Sequence, residues 1–125
     1  MTTTALTLEN FEQTTSANDI VLVDFWAAWC GPCRMFAPVY ETASEFHPGI
    51  VFGKVDTEAE QDLAASFRIT SIPTLMVFRD GILVYAQPGA LQASQLDQLI
   101  EGARALDMDD VRRQIAEQQG ATADA

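Results

Sequence analysis

Apolar positions along the chain follow two periods, and each change of period marks a new element. Thr3 to Leu8 predicts a short first strand, and Glu9 to Thr15 a short helix. Ile20-Val-Leu-Val-Asp-Phe-Trp26 is a near-continuous apolar run, the pattern of a strand covered on both faces. After Cys33 the period lengthens: Phe36, Val39, Tyr40, Ala43 and Phe46 recur at helical spacing. The strand therefore feeds a helix whose first turn carries Cys30 and Cys33. Pro38 lies inside that helix, where it removes a backbone donor and predicts a kink. His47-Pro48-Gly49 ends it.

Ile50 to Asp56 reads as the next strand. Thr57 and Glu60 form a T-x-x-E capping box ahead of a helix with Ala59, Leu63 and Phe67 on one face. Thr74 to Arg79 is a strand, Asp80-Gly81 a hairpin turn, and Ile82 to Ala86 the returning strand. Ser94 with Asp97 is expected to cap a helix bearing Leu96, Leu99, Ile100 and Ala103. The order βαβαβαββα contains two parallel crossover units and then an antiparallel hairpin, which predicts one sheet with helices on both faces.

The domain implied by this pattern spans residues 1–106, and residues 107–125 form a C-terminal extension. Asp107 and Asp110 are expected to cap a short helix with Met108, Val111 and Ile115 on one side. That helix is expected to dock on the body or extend the preceding one; fraying and a partner site are the alternatives. Residues 120–125 are expected to be mobile.

Composition narrows the function classes. At 125 residues the chain fits one domain and buries roughly two-thirds of its unfolded surface. Eighteen acids against seven Lys and Arg give a net charge of −11, and the first basic residue is Arg34. Polyanion binding draws on clustered Lys and Arg, so neither nucleic acid nor an anionic membrane is an expected partner. The N-terminus has no basic start and no apolar run, and no stretch approaches the ~18 apolar residues of a membrane helix. A cytoplasmic location is the expectation, although a mature form would have lost any leader. No glycine-rich phosphate loop is present, so no bound cofactor is expected.

Trp29-Cys30-Gly31-Pro32-Cys33 carries the chemistry. A structural staple is a weak reading, because closing so small a loop contributes only roughly 2 kcal/mol. A zinc site wants four ligands, and beyond the cysteines the chain offers only His47 and carboxylates. A haem attachment needs His directly after the second cysteine, where Arg34 stands. A redox dithiol lacks nothing. The first amides of the helix and its dipole favour a Cys30 thiolate. Cys30 attacks a substrate disulfide, and Cys33 resolves the mixed disulfide at high effective concentration. Pro32 stiffens the turn and supplies no ionisable group, which favours a reductant. Asp24 is the one acid in an apolar strand. It is either a solvated strand-end residue or a buried base of raised pKa able to take the Cys33 proton.

These residues resemble the thioredoxin family. Val23-Asp-Phe-Trp-Ala-Ala-Trp-Cys-Gly-Pro-Cys33 is similar to that family's active-site strand and helix start. Pro38 resembles its kinking proline, Ile72-Pro73-Thr74 its cis-proline segment, and Gly81 and Gly89 its later glycines. The similarity runs over roughly residues 5–105. It implies a three-layer α/β sandwich: a central mixed sheet of about five strands, flanked by about four helices plus the C-terminal extension. It implies Cys30 as nucleophile and Cys33 as buried resolving thiol. By the same resemblance Asp24 is the buried carboxylate near Cys33, and Lys54 lies beside that acid; a snorkelling surface lysine is the plain alternative. A cis Ile72–Pro73 bond would set that backbone beside the cysteines as an edge for an extended substrate. Trp29, Gly31, Pro32 and Gly89 would complete the substrate surface, while Trp26 packs.

The resemblance further implies reduction of protein disulfides. An NADPH-dependent thioredoxin reductase restores the dithiol, so NADPH acts indirectly, and the reductase and disulfide-containing proteins are the partners. A monomer is expected. An oxidase or isomerase on the same fold, and a non-catalytic binding module, are the alternatives. Pro88 departs from the family, which commonly has an aliphatic residue before this glycine; the loss of an amide is expected to alter substrate preference. The reading requires two sulfurs close enough to bond reversibly, one of them open to bulk solvent.

Overall fold

Five strands pair in the order β1-β3-β2-β4-β5. In the computed structural model, which describes residues 2–124 and their side chains through Gly120, these are β1 (Thr3–Ala5), β2 (Ile20–Trp26), β3 (Val51–Asp56), β4 (Thr74–Arg79) and β5 (Ile82–Pro88). β3 runs parallel to both β1 and β2, whereas β4 is antiparallel to β2 and β5 to β4. The helices are α1 (Phe11–Ala17), α2 (Gly31–Phe46), α3 (Gln61–Ser66), α4 (Ala93–Ala105) and α5 (Met108–Asp124). This is the expected three-layer sandwich on a mixed sheet.

The alternation of β2 divides the core between the two faces. Ile20 and Leu22 pack with Phe36, Tyr40 and Ala43 of α2 and with Leu96, Ile100 and Ala103 of α4. Val21, Val23 and Phe25 pack with Phe11 of α1 and Leu63 of α3. β2 is buried along nearly its whole length, as its unbroken apolar run predicts. α2 runs on through Pro38 and stops at Phe46, before His47. Its final apolar residue does not join the core: Phe46 is 76% exposed. Asp80 and Gly81 both take positive φ, 53° and 79°, and form the two-residue hairpin turn.

Several boundaries differ from the sequence reading. β1 ends at Ala5, and Leu6 buries its side chain while its N–H still reaches the Lys54 carbonyl at 2.8 Å. Residues 7–10 form a turn closed by Thr7 and Asn10, whose Oδ1 accepts the Thr7 N–H at 2.8 Å, so α1 begins at Phe11. The Thr57–Glu60 capping box does not form. The Thr57 hydroxyl donates to the Trp26 carbonyl at 3.0 Å, and Glu60 Oε1 accepts the Leu8 N–H at 2.9 Å. Asp56 instead accepts the Glu58 N–H at 2.9 Å, which winds 57–60 into a turn, leaves Ala59 exposed and delays α3 to Gln61. Ser94 lies inside α4 and does not cap it. The cap is a reciprocal box between Gln92 and Gln95, with the Gln92 N–H donating to Gln95 Oε1 at 2.9 Å.

The extension is a longer helix than expected, and its first half is docked. Asp107 Oδ1 accepts the Asp110 N–H at 3.2 Å, Met108 is buried, and the half-buried Val111 and Ile115 line a groove of about 230 Å³ with Ile82, Leu83 and Val84 of β5. Arg112 pairs with Asp80 at 3.0 Å, and Arg79 donates to the Ala103 carbonyl at 2.7 Å, tying the end of α4 to the sheet. The expectation of a mobile end over residues 120–125 bears on residues that fall outside those described in full.

Candidate functional site

β2, the central strand, ends at Trp26, and α2 begins five residues later. Cys30 occupies the N-cap of α2 with an extended backbone, φ −87° and ψ 114°, and the Pro at the helix start is Pro32. Proline suits this position because its missing N–H is one the first turn leaves unpaired anyway. The N-cap geometry turns the Cys30 sulfur back over the first turn, where it accepts the Cys33 N–H at 3.2 Å. Cys30 and Cys33 are joined as a disulfide, with Cα atoms 5.2 Å apart. The same turn therefore aligns a reversible S–S bond and aims a helix amide at one of its sulfurs.

The expected opening of one sulfur to bulk solvent is not what the structure shows in the disulfide form. Cys30 is 4% exposed and Cys33 3%, so the two cysteines are covered almost equally. Ala27, Trp26 and Ile72 pack against the pair. The asymmetry lies in neighbours rather than in burial: the Ile72 carbonyl oxygen sits 3.7 Å from the Cys30 sulfur. The Ile72–Pro73 bond is cis. Gly89, at φ +110°, donates its N–H to the Pro73 carbonyl at 2.8 Å, so Pro88–Gly89 and the Ile72–Pro73 segment lie side by side. Pro88 pairs with Thr74 in the last register position of the β4–β5 ladder.

Trp29 is 66% exposed beside the cysteines, and its indole N–H donates to Glu58 Oε1. Glu58 was invisible in the sequence as a site residue, since it is one of many acids in an acidic chain. A groove of about 340 Å³ runs past Trp29 and Ile72 along Thr57, Gln61 and Ile69. Gly31 is partly exposed and Pro32 exposed at the head of α2, on the same rim.

Asp24 is buried, only 1% exposed, and neither carboxylate oxygen has a hydrogen-bond partner among the described residues. Desolvation pushes its pKa up from 3.8 to about 7, against the opposing pull of the Lys54 ammonium. Asp24 shares a face of β2 with Leu22 and Trp26, the face covered by α2. Lys54 is its register partner on β3, half-buried, with Nζ 4.9 Å from the centre of the Trp26 ring. Tyr40, about two turns beyond Cys33 on α2, is fully buried and donates to the Gly53 carbonyl at 2.8 Å. Burial and the Asp24 charge raise its pKa well above the usual tyrosine value. Sequence reading placed Tyr40 in the core but missed its polar role, because its acceptor lies on another element.

A disulfide across the first turn of a helix, fed by a buried strand and faced by a cis-proline segment, defines a dithiol–disulfide oxidoreductase. The thioredoxin family profile matches residues 2–102. The chain is 59% identical over 117 residues to Putative thioredoxin 2 of Streptomyces coelicolor, spanning 94% of this chain and 87% of that relative. It is 43% identical over 99 residues to the thioredoxin of Porphyra purpurea, spanning 78% and 92% of the two chains. A solved structure of Plasmodium falciparum thioredoxin superposes with a TM-score of 0.72 at 40% identity, over 78% of this chain and 96% of that one. The chain belongs to the thioredoxin family. Its activity is that of a protein-disulfide reductase and electron carrier working by dithiol exchange. No helix among the described residues is long and apolar enough to cross a membrane.

Proposed function

We propose that Cys30 is the attacking thiol and Cys33 the resolving one, with Asp24 as the proton acceptor for Cys33. In the reduced protein the Cys33 N–H that now meets the Cys30 sulfur at 3.2 Å stabilises the Cys30 thiolate, together with the helix dipole. That single contact carries the assignment, because only one of the two sulfurs receives a helix amide this way. The thiolate attacks one sulfur of a substrate disulfide, and the departing substrate thiolate takes a proton from water. Asp24 then accepts the Cys33 proton, and Cys33 attacks the Cys30 sulfur of the mixed disulfide. The second substrate thiol leaves, and the protein is left oxidised. Two electrons have passed from the dithiol to the substrate.

An acid with pKa about 7 is half ionised at neutral pH, which suits a base that must also release its proton. Lys54 keeps that value from rising further. Trp29, Gly31 and Pro32 border the substrate on one side; Ile72, Pro73 and Gly89 offer backbone on the other. An NADPH-dependent thioredoxin reductase restores the dithiol, disulfide-containing proteins are the substrates, and the protein works as a cytoplasmic monomer without nucleic acid or membrane. NADPH consumption with that reductase and a disulfide protein tests the assignment. Loss of turnover in Cys30→Ser is the expected result, and activity that survives the substitution overturns it.

A further inference from the structure

Arg68 stands where the backbone favours glycine. α3 closes with the Ile69 N–H donating to the Ala64 carbonyl at 3.1 Å and the Arg68 N–H to the Ala65 carbonyl at 2.9 Å. This pair of bonds places Arg68 at φ 55°, the left-handed region in which glycine or asparagine usually ends a helix. A Cβ there is sterically unfavourable. Among the described residues the only other non-glycine at positive φ is Asp80, whose short polar side chain suits a hairpin turn.

The Arg68 side chain does not compensate from within the fold. Arg34 donates to the Ala28 carbonyl, Lys54 lies over the Trp26 ring, and Arg79 donates to the Ala103 carbonyl. Arg104, Arg112 and Arg113 each pair with a carboxylate on their own helix or nearby. Arg68 is exposed and, of the seven Lys and Arg, the only one without a carboxylate, carbonyl or ring partner among the described residues.

Its position connects it to the site. Arg68 lines a groove of about 190 Å³ with Thr70, Ser71 and Pro88. Ile69 and Thr70 line this groove and also the one that passes Trp29 and Ile72, so the two grooves border the same short segment. Ile72 in turn places its carbonyl beside the Cys30 sulfur. Only Ile69, Thr70 and Ser71 separate Arg68 from Ile72 in the chain.

We propose that Arg68 is a specificity-determining residue that pairs with a carboxylate side chain flanking the reactive cysteine of a disulfide substrate. The inference rests on the reading of this site as a protein-disulfide reductase. A chain of net charge −11 repels an acidic segment at long range, and a free cation at the groove reverses that locally. An exposed ion pair is modest, so the preference it creates is about three- to fivefold.

The test compares kcat/KM for two peptide disulfides that differ only in an acidic or a neutral residue next to the cysteine. In Arg68→Gly the acidic-to-neutral ratio should fall about three- to fivefold, and Arg68→Lys should retain it. In the unsubstituted protein the ratio should shrink toward one near 1 M salt, where the Debye length is about 3 Å. Arg68→Gly also relieves the left-handed strain, so its thermal midpoint should rise by about 2–4 °C. A ratio unmoved by Arg68→Gly overturns the proposal while both peptides are still reduced. A lowered midpoint overturns it by showing that Arg68 serves the fold, and failure to reduce either peptide removes the underlying reading as well.

Discussion

Asp24 and Lys54 occupy the same register position on the neighbouring parallel strands β2 and β3. The carboxyl is buried without a hydrogen-bond partner among the described residues, while the ammonium is drawn over the Trp26 ring. Burial outweighs attraction here, and the acid titrates at about 7 instead of 3.8.

That shift makes stability depend on pH with a definite sign. Between about pH 4 and 7 the native protein holds a proton that the unfolded chain has released, so stability falls as pH rises through this window. The full effect is on the order of 4 kcal/mol. Asp24→Asn should match the parent below about pH 4 and exceed it by a few kcal/mol above pH 7. Denaturant titrations at acidic, neutral and mildly alkaline pH check this, and a difference that does not vary with pH contradicts it.

Lys54 lowers the Asp24 pKa, so Lys54→Met should move the Asp24 titration above about 7. Carbon-detected NMR of the Asp24 carboxyl reads the midpoint directly. A midpoint that stays or falls shows that the ammonium does not act on this acid.

Much of the fold was legible because its signals are local. The buried run 20–26, the helical period after Cys33 and the Asp80-Gly81 turn are each written in neighbouring residues. The failures share a cause: a side chain with a local role available was taken by a distant partner. Thr57 went to Trp26 and Glu60 to Leu8, so their capping box never formed. Cys30 is covered by Ile72 and Ala27, a contact made only when the loops fold together. Phe46 kept the helical period yet lies exposed at the end of α2. The paired cysteines were visible in the residues themselves, whereas the burial of Asp24 and the cis bond at Pro73 came through the family resemblance; Glu58, the Tyr40 hydroxyl and Arg68 were not visible, because their significance comes from tertiary geometry or backbone conformation.

The Tyr40 hydroxyl ties α2 to β3 at the Gly53 carbonyl, and Leu6 lies close against Gly53 itself. Tyr40→Phe removes the donor to the Gly53 carbonyl and should cost about 1 kcal/mol. Gly53→Ala should cost more, about 1–3 kcal/mol, because the new Cβ would overlap the Leu6 side chain and lie 3.2 Å from the Leu22 carbonyl. Urea unfolding ranks the two, and a Gly53→Ala protein as stable as the parent refutes the close approach.

The docked part of α5 should depend on burial more than on charge. Met108→Ala, at a buried position, should destabilise by about 2 kcal/mol or more. Arg112→Ala breaks a half-exposed pair with Asp80 and should cost less than about 1 kcal/mol. Thermal unfolding of both variants compares them, and the reverse ranking contradicts the docking described here.

Mass spectrometry of the Cys33→Ser protein mixed with a disulfide substrate addresses the division of labour between the two thiols most directly. A stable adduct with the substrate joined to Cys30 is the predicted outcome, since the attack occurs and nothing follows to release it. Absence of any adduct, with the substrate still reduced at the parent's rate, would contradict it.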